Sequence, residues 1–489
     1  MQQGSQHALY HEPDDARRSF REAIAMFERG GSRSGHALGL CTLAQLEARY
    51  GNIAEARTSY EQAREIYRAV NNPLGDAYVT RGMAELAERE GRTDDARALY
   101  EEARQIFQKR QDRLGQAHTV HGIARLESRM NRIDRARASF SEARGLYRLA
   151  EDRLDEANVY KGLGTLEMKQ GHHDDARSRF GQARELYQEM EARLGEANVL
   201  LATGNLEMKL NQSAPAREAY ADAILLYRQL GNRLGEGNAL AAIGALETRC
   251  DRPDAARKAF QEAADLFDKI GNVLGKANAL KGLGDVERRL GEPDVARKQY
   301  SAAAELYRTV RDPLGEANAR VGIAELDRKA GNTEAARTAF NEAHALYTEI
   351  GNRLGQANVL KGLGHLERQL KRTDPARHDY DQALVLYRTC GNNLGEANTL
   401  LALGELRREG GDSGAAREHY QGALTRYEGL ANIPGQGNAC LGLAKLALKS
   451  NGDDAARWFK QGAELFQAAN LPQLEAYARE QLKLLGKAG

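Results

Sequence analysis

Eight asparagines, Asn158, Asn198, Asn238, Asn278, Asn318, Asn358, Asn398 and Asn438, recur at intervals of 40 residues. A side-chain amide both donates and accepts hydrogen bonds, so a ladder of amides can hold an extended backbone largely independently of its sequence. Asn is a poor helix former, and its repetition on an otherwise favourable helix implies a use for the amide. That use is either contact with a ligand or a bridge across the short junction to the preceding helix, and the spacing leaves both open. Helical geometry places each Asn on one stripe with the residues three, seven and ten further on. Asn198 thus joins Leu201, Asn205 and Met208; Asn278 joins Lys281, Asp285 and Arg288; Asn358 joins Lys361, His365 and Arg368.

The non-Asn stripe positions carry ten basic residues, Arg81, Arg125, Lys161, Lys281, Arg288, Arg328, Lys361, Arg368, Arg408 and Lys445, against five acids, Glu85, Glu88, Asp285, Glu325 and Glu405. The whole chain is only +1, so the stripe is more basic than its surroundings. Leu201, Asn205, Met208, Ala241, Ala245 and Thr248 form a neutral middle. A partner segment with an acidic part and an apolar part fits this pattern. A second polar register repeats more strictly: Arg stands at every fortieth position from Arg17 to Arg457, and an acid recurs at Glu127, Glu167, Glu207, Glu247, Glu287, Asp327 and Glu367. A regular position implies a regular partner, and a structural ion pair between helices is the expectation.

Other constellations do not reach chemistry. The GxG of Gly162 and Gly164, repeated at Gly282 and Gly362, lies mid-helix with no preceding strand, which points to helix packing rather than a dinucleotide site. Gly271 to Ala277 lacks the spacing and the Ser or Thr of a phosphate loop. His172 and His173 beside Asp174 and Asp175 are adjacent residues at one turn, read as a solvated turn and not as a metal centre. No nucleophile and base pair stands out from the repeat. The expectation is no enzyme activity, no cofactor and no metal.

The elements that position these residues follow from a strict 40-residue period. GNRLGQANVLKGLGHLERQLKRTDPARHDYDQALVLYRTC from Gly351 aligns without a gap on the segment from Gly271. Within a unit, Leu354, Ala357, Leu360, Leu363, Gly364 and Leu366 recur at helical spacing, and Ala376, Tyr380, Ala383, Leu386 and Tyr387 form a second stripe. The break between them carries a Gly or Asn after a basic residue, then Thr, Pro or Asp, the signals that end one helix and cap the next. Each unit reads as a helical hairpin. The predicted organisation is an incomplete repeat over 1–30, eleven units over 31–470, and a capping helix over 471–489 with Leu474, Tyr477, Leu482 and Leu485 inward and Lys483 and Lys487 outward.

The small residue after Leu in the first helix, the Ala opening the second, the aromatic four residues later and the Ala three beyond resemble the tetratricopeptide repeat (TPR) pattern along the whole chain. Three features depart from it: the unit has 40 rather than 34 residues, Leu360 stands for the family's first Trp, and Glu367 for its helix-one Tyr. The longer unit with its GN-x-LGEAN junction resembles repeats of the Partner-of-Inscuteable/Leu-Gly-Asn group and TPR sensor arrays of NACHT and NB-ARC signalling ATPases, and more distantly those of kinesin light chain. The resemblance implies an all-α, right-handed superhelical solenoid whose first-helix face lines a concave groove for a protein or peptide. Lys161, Lys281 and Lys361 fall where the family's carboxylate-clamp repeats place Lys, but the following residue is always Gly.

Composition bounds the rest. Basic and acidic residues number 70 and 69, giving no reason to expect nucleic acid or an anionic membrane as partner. No apolar run reaches the roughly 18 residues of a membrane span. Four widely spaced cysteines and an N-terminus without a signal-peptide pattern suggest free thiols in a reducing cytoplasm. Because residues 1–10 match only the back half of a first helix, the chain is expected to be a piece of a longer protein. Three roles follow as expectations: a monomeric adaptor, the sensing array of a larger signalling ATPase, or a structural protein that self-associates through an open N-terminal face.

Overall fold

The computed structural model describes residues 13–448 and 451–486; the first twelve residues and Lys487 lie outside them. Among these residues there are 24 α-helices and no strand. They alternate as the period requires, for example Pro313–Ala330 with Thr333–Glu349 and Arg353–Gln369 with Thr373–Thr389. Two compact units result, Met1–Ala239 and Leu240–Gly489, and the division falls inside the helix Arg233–Arg249. Within each unit successive helices pack on one another, and the first helices of adjacent hairpins also touch. No helix of the described residues is long and apolar enough to cross a membrane.

Local chemistry explains the junction motif. In Gly271-Asn272, the glycine takes a left-handed φ of 67° as the chain leaves one helix. The next residue caps the following helix: Asn272 Oδ1 accepts from Gly275 N at 2.8 Å, as Asn352 does from Gly355 N at 2.9 Å. At Gln111, Glu151 and Arg311 the left-handed position is filled without glycine, at φ 55–57°, so the hairpin geometry outweighs residue preference there.

The core forms where aromatic rings of second helices lie on small residues of first helices. In the second unit Ala317, Ala324, Phe340, Ala343, Tyr347 and Val359 make one such cluster. The two glycines of each GxG serve different rings: a Cβ on Gly362 would stand 2.6 Å from Phe340 of the preceding second helix, and one on Gly364 2.6 Å from Tyr380 of its own hairpin. The mid-helix glycines are therefore packing positions, as their sequence context implies.

The C-terminal helix departs from expectation. Pro472–Leu484 buries Ala478, whereas Leu474 and Tyr477 are exposed and Leu482 and Leu485 are half-buried against the last hairpin. Ala478 is small enough for close approach, and Tyr477 instead carries the Lys445 ammonium 5.6 Å above its ring. At the other end, Pro13–Arg29 packs Ala16 and Phe20 on Leu43 and Leu46 of Arg33–Arg49.

Candidate functional site

The second polar register is a structural joint between hairpins. Arg297, on Pro293–Thr309, reaches the first helix of the next hairpin and grips Asp327 with both nitrogens, Nη2 to Oδ1 at 2.6 Å and Nη1 to Oδ2 at 3.0 Å. Arg17–Glu47, Arg137–Glu167, Arg177–Glu207 and Arg257–Glu287 repeat the joint 30 residues apart. The arginine holds Asp327 and Glu167 below the usual carboxylate range, its hydrogen bond outweighing burial. The residue five beyond the acid adds a bond, Asn332 to Asp327 at 3.1 Å and His172 to Glu167 at 2.8 Å. His172 is thus part of this joint rather than of a purely solvated turn. Glu167, His172 and Asp175 could gather about a cation, but Arg137 already occupies both oxygens of Glu167. Where Ala87 replaces the acid, Arg57 turns to Glu90 instead.

The asparagine stripe is set by phenols that the sequence reading did not connect with it. Tyr307 Oη donates to Asn278 Oδ1 at 2.6 Å, and Tyr347 to Asn318, Tyr387 to Asn358 and Tyr427 to Asn398 do the same in the second unit at 2.6–2.8 Å. In the first unit the pairs are Tyr187 with Asn158 and Tyr227 with Asn198. Every tyrosine comes from the second helix of the same hairpin, so the amide is tied to the helix that follows it, not to the preceding one. Burial pushes Tyr227 and Tyr307 up to about 12, which keeps their hydroxyls protonated and donating. With Oδ1 committed, the NH₂ is the free end of the amide. Asn158 spends it on Asp155, at 2.9 Å, while Asn278, Asn318 and Asn358 are exposed. The helices that follow Asn238 and Asn438 carry Phe267 and Phe466, which have no hydroxyl to offer.

In some hairpins a second tyrosine of the second helix bonds to the stripe residue seven past the Asn position. Tyr220 donates to Asn205 at 2.8 Å, Tyr300 to Asp285 at 2.7 Å, and Tyr380 Oη meets His365 Nδ1 at 2.7 Å. Phe180, Phe260 and Phe340 stand in this register where the stripe residue is Thr165, Ala245 or Glu325. The choice of Tyr or Phe was the visible signal, and it becomes meaningful only when helix positions 15 and 29 residues apart are read together.

The structure also neutralises most of the basic stripe. Lys281 pairs with Asp285 at 2.7 Å, Arg328 with Glu325 at 2.8 Å, Arg408 with Glu405 at 2.7 Å, and Arg368 with Glu409 at 3.6 Å. Arg288 Nε donates to Tyr300 Oη at 3.3 Å. Lys161 and Lys361 are half-buried, and among the described residues neither has a carboxylate within 4 Å. Burial lowers the pKa of both. Leu201 and Met208 are half-buried beside them in register, with Asn205 exposed. The stripe is therefore a row of amide donors with two separated unpaired lysines, not a continuous cationic face.

Removing one phenol tests the coupling of Asn to its hairpin. Tyr307→Phe is expected to cost about 1 kcal/mol, the net worth of one hydrogen bond, with helix content unchanged. Urea unfolding followed by circular dichroism measures it, and a loss near zero would mean that the phenol contributes nothing to holding Asn278.

Comparison with known proteins agrees with this architecture. Tetratricopeptide repeat models match residues 75–149, 235–309 and 315–389, and another tetratricopeptide repeat model matches 161–232, together more than half the chain. Among solved structures, the fold is similar to the apo form of the quorum sensor NprR from B. thuringiensis, with TM-score 0.50 and 14% identity, covering 74% of this chain and 99% of that one. It is also similar to a Signal Transduction ATPase with Numerous Domains (STAND) protein with a tetratricopeptide repeat sensor from Pyrococcus horikoshii, with TM-score 0.52 and 14% identity, covering 70% of this chain and 52% of that one. No curated protein matches the chain by sequence.

Proposed function

Because the chain belongs to the tetratricopeptide repeat family, we propose that it is a scaffold that binds an extended protein or peptide segment along the asparagine face of its first helices. Its working part is the run of units over 31–470, between the incomplete unit 1–30 and the closing segment 471–489. The observation that carries this reading is the polarity of the asparagines: buried phenols take Oδ1, so Asn278, Asn318 and Asn358 present NH₂ groups at one per hairpin. A row of fixed donors suits main-chain carbonyls of an extended segment, because it recognises backbone without demanding a sequence. Preorientation by the phenol also lowers the ordering cost of binding. Lys161 and Lys361 supply the places for acidic residues of the segment, and Leu201 and Met208 an apolar place in the first unit.

A second reading makes the segment a signal. Both structural neighbours are named as sensors, one a quorum sensor and the other a repeat sensor attached to an ATPase. On that reading, segment binding by this array regulates a module elsewhere in a longer protein.

The test is capture from source-cell lysate by the wild-type chain and by Asn278→Ala/Asn318→Ala/Asn358→Ala, with circular dichroism confirming the fold of both. Wild type is expected to retain a partner that the variant loses by tenfold or more, since each charged or well-aligned bond contributes about 1 kcal/mol. Equal recovery would overturn the backbone-recognition reading and assign the amides to architecture.

A further inference from the structure

The regular stripe is interrupted in the first unit. Where the repeat puts Asn, residue 118 is His, and where it puts Gly after the junction leucine, residue 155 is Asp. These two departures meet in one open cavity of about 380 Å³ lined by Pro73–Arg89, Arg113–Arg129, Arg153–Gln170 and the helix Ile133–Leu149 that contributes Tyr147. Tyr147 Oη lies 2.8 Å from His118 Nδ1 and 3.5 Å from His121 Nδ1, and Asp155 Oδ2 lies 3.4 Å from His118 Nδ1.

The cavity's cations outnumber its carboxylates, with Arg81, Arg125 and Lys161 lining it against Glu85 and Asp155. Arg81 has Nε and Nη1 buried without a hydrogen-bond partner, its nearest carboxylate, Glu85, being 3.6 Å away. Lys161 is half-buried with no ion pair among the described residues. Glu85 lines the same cavity and stays 3.6 Å from Arg81, beyond hydrogen-bond reach, while the other acids are occupied. Asp155 Oδ1 accepts from Asn158 at 2.9 Å, and Glu88, behind the wall, receives Arg125, Arg129 and Tyr100. Half-buried cations with unmet donors are costly unless a counter-charge completes them. A metal ion would compete poorly here. His118, Asp152 and Asp155 place ligand atoms within 4.8 Å of one another, but Asp152 already caps its helix at Asp155 N, and the positive charges of Arg81 and Lys161 in the same lining repel a cation.

We propose that this cavity binds an oxyanion, with Arg81 and Lys161 as its principal ligands and the His118–Tyr147 pair closing the wall beside it. The occupant brings oxygen acceptors to the donors that the fold leaves unmet, whether it is carried by a small molecule or by an acidic side chain of a segment lying along the face. The site depends on residues of the first unit alone, and does not require the asparagine ladder.

The experiment is a titration of the full chain with inorganic phosphate, and separately with a short glutamate-containing peptide, at constant ionic strength, read by the NMR signals of His118 and His121. Saturable shifts by either probe are expected, and the responding probe identifies the source of the oxyanion. Arg81→Gln and Lys161→Met are each expected to weaken binding by about tenfold or more, the loss of one charge-assisted bond. Lys109→Met, an exposed lysine on Thr93–Lys109, is the control that retains it. No saturable shift with either probe, or the same shift in both cavity variants as in wild type, overturns the proposal. The triple asparagine variant of the second unit is expected to bind phosphate normally, so loss of segment capture and loss of the oxyanion site are distinguished.

Discussion

Replacing Arg297 by Met is expected to destabilise the chain by about 3 kcal/mol at neutral pH, because it leaves a buried carboxylate without its counter-ion. Asp327 is 4% exposed and Arg297 37%. The pair is bidentate, and only the Asn332 amide would remain on the acid. Arg297→Met/Asp327→Leu is expected to recover most of the loss, since the penalty belongs to the orphaned charge rather than to the absent attraction. The pH dependence gives an independent check. Asp327 has its folded pKa depressed by Arg297, with burial opposing, so its contribution is present above the unfolded value near 4 and fades as pH falls through the lower folded value. In Arg297→Met burial is opposed only by the weaker Asn332 hydrogen bond and raises the acid's pKa, so the variant regains stability as Asp327 protonates. The gap between the two chains therefore narrows on acidification from pH 7 toward pH 4. Urea denaturation at several pH values measures it, and a gap that is small at pH 7 or constant with pH would show that the joint is not structural.

Gly275→Val is expected to cost about 2 kcal/mol. A Cβ at this position would stand 2.6 Å from Cδ1 and 2.7 Å from Cγ of Phe267, a ring that is almost wholly buried. Those atoms sit near the root of the side chain, so the ring can yield only by moving the helix Pro253–Lys269 away from Val273–Leu290. The gain in helix propensity from losing glycine is below 1 kcal/mol and does not offset the clash. In a repeat array each hairpin is stabilised by its neighbours, so the effect should appear as a local opening before global unfolding. Hydrogen exchange of the amides in residues 253–290 reads that opening. Unchanged protection there, together with an unchanged urea midpoint, would show that the ring has room the packing does not suggest.

The features that were legible in the sequence are those set by near neighbours. Helix ends follow from caps three residues apart, such as Asn272 to Gly275, and from left-handed glycines such as Gly271. The apolar spacing of Leu360, Leu363 and Leu366 gives the first helix, and the alternation of Ala376, Tyr380, Ala383 and Tyr387 gives the second. Both were readable because helical geometry is local and the period repeats it eleven times over. The Lys281–Asp285 pair, four residues apart on one helix, was open to the same reading.

Tertiary structure decided which use each polar residue has. Arg297 and Asp327 are 30 residues apart and Tyr307 and Asn278 are 29 apart, so their pairing depends on how one hairpin lies on the next and how its two helices face. That same packing turns Oδ1 of Asn278 inward, leaves the NH₂ as its free end, and sets Arg368 beside Glu409, 41 residues further along the chain. It also gathers Arg81, His118, Tyr147 and Lys161 from four helices into one cavity. A sequence determines spacing along the chain, and hydrogen-bond direction and charge neutralisation depend on distances of about 3 Å that only the packed helices set.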